Sequence, residues 1–327
     1  MSSPLVTVIG EALIDLVPGE GPGDYRAHAG GSPFNVAVAL ARLRERTGLM
    51  ARLGDHGFGQ LLRERAAAEG IELGTAVRAA EPTTLAVVSL NSSGQASYDF
   101  YVEGTADWHW TIGELRGLPS ETDVLHFGSI ASWTPPGDER IDQVVGEARA
   151  GGQLLVSYDP NIRPAVLSSP SGGRILVERS VRNADVVKAS REDLEWLYPS
   201  HSLDEVCARW LGLGPTLVVV TDGPRGALAY RTGRRPLRRP GRAIKLVDTI
   251  GAGDAFTAAL LSALIRRGLH ACDQLAAMPD AVLVEVVDEA VLVSSITCER
   301  SGADPPRLAR ERGSRSSVLT PADFVTG

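Results

Sequence analysis

The chain has 327 residues, 43% of them hydrophobic and 22% charged, with a net charge of −7. That length holds one large α/β unit plus a small accessory element, or two domains, and the acidic balance argues against nucleic acid as a partner. Cys207, Cys272 and Cys298 are odd in number, far apart and in no C-x-x-C pair, so neither a disulfide framework nor a structural zinc site is expected. The opening residues lack a basic leader region, and no run reaches the ~20 apolar residues of a membrane span. The expectation is a cytoplasmic protein with no membrane partner.

Short apolar runs alternate with amphipathic segments, the pattern of a mostly parallel sheet flanked by helices. Leu5 to Ile9 reads as a buried strand ending at Gly10. Residues 13–29 hold short β-like pieces around a Gly/Pro turn, Pro18 to Gly23. Ser32-Pro33 fits a helix start, with Ser32 as N-cap and Pro33 at the first helical position. Leu85–Leu90 and Ala96–Tyr101 alternate as two strands of a hairpin around Asn91-Ser92-Ser93-Gly94. We expect these β-like pieces to form a small separate sheet acting as a lid; an antiparallel extension of the main sheet is the alternative. Further strands are expected at Val124–Phe127, Leu154–Tyr158, Val186–Lys188 and Leu217–Thr221, and helices at 138–150, 203–211, 252–267 and 281–298. The tail 303–327 reads as irregular. The domain division is then 1–12, 30–83 and 103–327 for the core, with 13–29 and 84–102 for the lid.

The only lysines, Lys188 and Lys245, follow no glycine, so a Walker A loop is absent, and no complete G-x-G-x-x-G occurs. The most informative stretch is Val247-Asp248-Thr249-Ile250-Gly251-Ala252-Gly253-Asp254. It reads as a strand running into a glycine-rich turn that opens a helix. First-turn amides lack internal partners and carry partial positive charge, and glycines let a phosphate approach them. Such a turn suits charge developing on a transferring phosphoryl group, and a carboxylate in it can take a proton from an attacking hydroxyl. The same residues also fit a plain helix start, with Asp254 facing the helix dipole.

The run from Asp248 to Phe256 resembles the C-terminal signature of the PfkB (ribokinase-like) carbohydrate kinases. Five more segments resemble that family in order. They are Gly30-Gly31-Ser32-Pro33-Phe34-Asn35, Gly54-Asp55-His56-Gly57-Phe58-Gly59, Asp159-Pro160-Asn161-Ile162-Arg163, Lys188-Ala189-Ser190-Arg191-Glu192-Asp193 and Thr221-Asp222-Gly223-Pro224-Arg225-Gly226. The resemblance implies a three-layer α/β/α core with a β-sheet lid, and ATP-dependent phosphorylation of a small sugar. Asp254 would be the base, with Gly251, Ala252 and Gly253 supplying anion-hole amides. Asp15, Gly31, Asn35, Arg163 and Tyr101 would contact the sugar, with Asn161 near sugar or phosphates. Lys188, Ser190, Thr221, Gly223, Gly226 and Gly253 would line the ATP site. Mg²⁺ would arrive with ATP and meet Asp193 or Glu192 through water. Asp248, with carbonyls of Ile250 and Gly302, would hold K⁺. A homodimer through the lid is a further implication.

Departures from the family pattern narrow the substrate. Val102 replaces an Arg in the lid run Phe100–Asp107, which disfavours an acidic sugar and points to fructose, yielding fructose 6-phosphate. Arg163 could still serve a keto acid such as 2-keto-3-deoxygluconate. Another sugar or a nucleoside stays open, as does a non-catalytic binder that kept the fold; the intact Asp254 argues against the binder. Asp193 stands for the usual Glu and Val291 for an Asn near the base. Trp108 and Trp110 fit packing under the lid better than stacking on a sugar.

Overall fold

The computed structural model describes residues 3–19, 21, 23–90, 96–152, 154–167, 169–309 and 318–325. Its main sheet runs in the order Leu237–Arg239, Ala227–Tyr230, Leu217–Thr221, Val186–Ser190, Leu155–Asp159, Thr122–Gly128, Leu5–Ile9, Arg46–Met50. From Leu217–Thr221 to Arg46–Met50 neighbouring strands are parallel; the remaining two are antiparallel. Because both faces are covered, these strands are buried along most of their length rather than alternating, and Leu217–Val220 is a continuous apolar run. Val6, Val8, Leu217 and Val219 pack toward one helical layer, whereas Phe127, Val156, Tyr158, Val218 and Val220 pack toward the other. Each such fully buried side chain contributes ~1.5–3 kcal/mol of transfer free energy.

The first layer is centred on Ala252–Arg266, flanked by Ser32–Arg42 and Asp280–Cys298. Residues 254 to 265 are buried without exception, so this helix sits inside the molecule rather than on it, with Asp254, Thr257 and Ser262 as its polar side chains there. The second layer contains Gly137–Ala150, Pro170–Arg182 and Leu203–Leu213. The α/β class and the three layers match expectation, and Trp108 and Trp110 are buried in the second core, as the packing alternative has it.

A second sheet has the order Tyr25–Gly30, Leu13–Pro18, Leu85–Leu90, Ala96–Tyr101. It is separate from the main sheet, not an extension of it. The expected turn residues Asn91-Ser92-Ser93-Gly94 lie outside the described residues. Two local readings are corrected. The helix Ser32–Arg42 takes Gly31 as its N-cap at φ 99, where a Cβ would meet the Glu11 carbonyl oxygen at 2.7 Å, so Ser32 is already helical and does not cap. No strand runs through Val247–Thr249: Leu246 and Val247 are more than half exposed, and the Val247 and Asp248 amides donate to the single carbonyl of Cys298 at 2.9 and 3.2 Å. Among the described residues, no helix is long and apolar enough to cross a membrane.

Candidate functional site

The parallel strands all end on the same side, and the residues just past those ends are the ones that converge. Glu11 follows Leu5–Ile9, Ser129 follows Thr122–Gly128, and Asn161 and Arg163 follow Leu155–Asp159. This is where ligands bind in open α/β sheets. Together with the start of Ala252–Arg266 and the small sheet, they wall a cavity of about 400 Å³. Asp15, Gly31, Asn35, Asn161, Arg163, Ile250, Gly251, Gly253 and Asp254, all expected from the sequence, line it.

Asp254 is 8% exposed, and each of its oxygens has a partner. The Ser32 hydroxyl donates to Oδ1 at 2.7 Å and the Asn35 amide to Oδ2 at 2.9 Å. Burial raises its pKa, while Ser32, Asn35 and the Lys188 charge work against that rise. Gly251 caps the helix in the left-handed region at φ 73, where a Cβ would meet Ala303 at 2.7 Å; glycine is required there on both counts. Ala252 departs from expectation. Its N–H turns back to the Thr249 carbonyl at 3.2 Å, and it does not line the cavity.

Lys188 lies behind Gly253 rather than on the cavity wall. Its amine donates to Asp159 Oδ2 at 2.8 Å, and a Cβ on Gly253 would come within 3.0 Å of Nζ. Burial alone would push this amine down, but Asp159 outweighs burial and holds its pKa above the ordinary lysine value. Thr257 Oγ1 also reaches Asp159 Oδ2, at 3.3 Å. Above the cavity, Asp15 faces Arg163 and Asp254. Burial pushes its carboxyl up to about 6, with Arg163 pulling it down and Asp254 adding to the rise.

The remaining expected residues fall outside the cavity. Tyr101 is 61% exposed and points away from it; Tyr98 and Phe100, stacked with ring centroids 6.1 Å apart, line it instead. Strand alternation puts residues 98 and 100 on one face and 101 on the other. Ser190 and Asp193 form a capping box at Arg191–Leu197. Asp193 also accepts the Ile162 amide at 3.0 Å, so both its oxygens hold backbone. Thr221, Gly223 and Gly226 form the turn after Leu217–Thr221, closed by Asp222 N–H to the Gly226 carbonyl at 2.8 Å. Asp248 accepts the Ile250 amide at 3.0 Å and the Gly302 amide at 2.8 Å, so it ties together the two loops expected to face a cation. Among the described residues, no group of three His, Cys, Asp or Glu side chains is placed to hold a metal.

Sequence reasoning missed Glu11, Ser32, Tyr98, Phe100 and Ser129 as wall residues. Glu11 is 1% exposed and accepts the Ala131 amide at 3.1 Å. Ser129 and Asn161, at φ 54 and 39, are both non-glycine residues in the left-handed region and both line the cavity. Strain of ~1–3 kcal/mol per residue concentrated at one cavity marks a functional site.

Known proteins resemble this chain along most of its length. The fructokinase of Rhizobium leguminosarum bv. trifolii is 33% identical over 311 residues, spanning 94% of this chain and 89% of that protein. The structure of Xylella fastidiosa fructokinase with bound ATP superposes with a TM-score of 0.84 at 27% identity, covering 91% of this chain and 93% of that one. Vibrio cholerae fructokinase in a form bound to fructose, ADP and calcium gives 0.79 at 31% identity, over 92% and 94%. The sequence pattern of the pfkB family matches residues 3–310, and with a buried carboxylate seated at a glycine-opened helix start, the chain belongs to the pfkB family of carbohydrate kinases.

Proposed function

We propose that this protein transfers the γ-phosphoryl group of ATP to fructose, giving fructose 6-phosphate. The observation that carries this reading is the position of Asp254. It sits in the first turn of Ala252–Arg266, on the cavity wall, held by Ser32 and Asn35. Asp15, Gly31, Asn35 and Arg163 bind the sugar, and Asp254 takes the proton of the attacking hydroxyl as the phosphoryl group arrives. A weak base suffices, because proton loss comes late in a loose transition state and positioning matters more than basicity. The Gly251–Gly253 turn stabilises the charge on the transferring group. Lys188, 3.0 Å from where a Gly253 Cβ would lie, stands on the buried side of this turn as the cation of its pair with Asp159.

The turn Thr221–Gly226 and the strand end at Lys188–Ser190 hold the nucleotide. The oxygens at Asp193 and Glu192 suit Mg²⁺ only through water, since both Asp193 oxygens already accept amides. Asp248, with the carbonyls of Ile250 and Gly302, suits K⁺, because its carboxylate already draws the two loops together. Bound there, a monovalent cation would supply charge balance for the anion site. The small sheet, residues 13–29 and 84–102, works as a lid on the core formed by the rest of the chain, carrying Asp15, Tyr98 and Phe100 over the cavity.

Arg163 supports a second reading. It lines the cavity with Nη1 held by Asn161 Oδ1 at 2.8 Å, and it can meet a carboxylate as well as a hydroxyl. ADP release with ATP, Mg²⁺ and K⁺ against fructose, ribose, 2-keto-3-deoxygluconate, adenosine and inositol decides between them. Turnover on fructose is the expected result. Turnover on the keto acid alone makes Arg163 a carboxylate anchor and overturns the fructose assignment.

A further inference from the structure

We propose that Asp107 is a positioning residue that, as the neutral acid, completes a chain of hydroxyls latching the small sheet to the core. Asp107 lies in the turn Ala106–Trp108, just after the last strand of that sheet, and is 1% exposed. Oδ1 accepts the Ala12 amide at 2.9 Å, one residue before Leu13–Pro18. Oδ2 lies 2.5 Å from the hydroxyl of Thr84, one residue before Leu85–Leu90. Thr84 Oγ1 lies 2.6 Å from Thr105 Oγ1, which lies 2.9 Å from the carbonyl of Val102, just past Ala96–Tyr101. One carboxyl thus reaches the roots of three strands.

Counting hydrogens assigns the protonation state. The line Asp107–Thr84–Thr105–Val102 has three oxygen–oxygen contacts, and the two threonines bring two hydrogens. A carbonyl only accepts, and so does an ionised carboxylate. With Asp107 ionised, one of the three contacts has no hydrogen in it. A carboxylic acid supplies the missing one, and every group then donates to the next as far as the Val102 carbonyl. The surroundings agree: burial pushes this carboxyl up to about 7, Thr84 and the Ala12 amide lower it, and the nearby Glu11 charge raises it. The other charged groups around the turn are directed elsewhere. Arg52 donates to the Ala106 carbonyl and pairs with Glu81 and Glu114, Asp138 pairs with Arg179, and His109 closes the turn with its backbone amide.

The small sheet holds Asp15, Tyr98 and Phe100 over the cavity, so the latch sets their height above the sugar. This consequence rests on the reading of the cavity as the acceptor site. The test is KM and kcat for fructose between pH 6 and 8.5, in wild type and four variants, where the fall in KM as Asp15 ionises near 6 is common to all five proteins and the Asp107 effect is read above pH 7. The wild-type KM rises up to about tenfold above pH 7, the scale of one net hydrogen bond lost. In Asp107→Asn the amide Nδ2–H takes the place of the acid O–H and Oδ1 keeps the Ala12 amide. KM therefore shows no rise above pH 7. Asp107→Ala and Thr84→Val raise KM about tenfold at every pH, with kcat within about twofold, and Thr84→Ser follows wild type.

An Asn variant as weak as the Ala variant overturns the protonated latch, and an unchanged KM in Thr84→Val overturns the latch itself. If Asp107→Ala does not fold, the Thr84 pair decides. Amide hydrogen exchange at Ala12 and Ile14 without any sugar gives an independent readout. Protection kept in Asp107→Asn and lost in Thr84→Val supports the latch even if fructose is not the acceptor; equal protection in both refutes it.

Discussion

Replacing Gly30 with alanine tests the role of Asp15 without touching Asp15. Gly30 ends the strand Tyr25–Gly30, paired with Leu13, and its backbone lies outside the left-handed region, so an alanine is tolerated there conformationally. Its Cβ, however, would lie 2.0 Å from Asp15 Oδ2 and 2.9 Å from Asp15 Cγ. The carboxylate is the free end of a side chain, so it yields rather than the backbone, and it must retreat by more than an ångström. A hydrogen bond to a charged group is worth ~1.5–3 kcal/mol, so losing one sugar hydroxyl contact raises KM for fructose roughly 10- to 150-fold. KM for ATP stays within about twofold and Tm within about 2 °C, because the fold gives up almost nothing. A coupled ADP assay at varied fructose and ATP, with calorimetric binding of each, reads all three quantities. Unchanged fructose KM in a folded Gly30→Ala protein would refute the assignment of Asp15 to the sugar, and a parallel loss of ATP affinity would refute the separation of the two subsites.

Asp254→Asn keeps shape and ATP binding but removes the proton acceptor, so turnover falls by ~10²–10⁴; a variant with near-wild-type turnover rules out general-base catalysis by this residue. Burial pushes the Asp15 carboxyl up to about 6, and its ionised form is the proposed hydroxyl acceptor, so fructose affinity is expected to be complete above that pH and lost as pH falls through it. The same raised pKa means the folded state holds a proton the unfolded chain has released between about 4 and 6, so stability falls as pH rises through that window. Asp15→Asn therefore melts higher than wild type at pH 8 while binding fructose more weakly, and a lower Tm contradicts this. Lys188→Met leaves Asp159 buried without its cation, destabilising the protein by ~3–5 kcal/mol in urea unfolding; a loss below about 1 kcal/mol would show that the pair is not needed for folding.

The main sheet was legible because strands buried on both faces are mostly apolar, and Leu217–Thr221 can be read as little else. The Gly251–Asp254 turn was legible because φ 73 at Gly251 demands glycine. Ser32 was not. A serine ahead of a proline looks like a helix cap, and its real partner, Asp254, is 222 residues away, beyond any local signal. Glu11 and Asp107 were invisible for the same reason, as their contacts to Ala131 and Ala12 span 120 and 95 residues. Tyr101 shows a different limit. The alternation separating it from Tyr98 and Phe100 is plain in the sequence, but which face looks into the cavity depends on how the second sheet sits on the first. Val247–Thr249 has strand-like composition and lacks only a neighbouring strand to pair with, which composition cannot report.

The deeply packed helix Ala252–Arg266 and the separate four-stranded sheet divide the work between parts with different tolerance to change. The helix fixes Asp254, the proposed proton acceptor, inside a core where a single added methyl group is felt. The sheet meets the cavity through few side chains and joins the core by short crossings; Ile14, Ala86 and Val88 are buried, whereas its edge strand exposes Tyr98, Asp99 and Tyr101, which can be rewritten at little cost to the fold. Grafting the cavity-facing strand 98–101 from a relative with another acceptor, with Ala86 and Val88 kept, is thus a direct route to a kinase of altered sugar preference, with residues 249–257 left as they are.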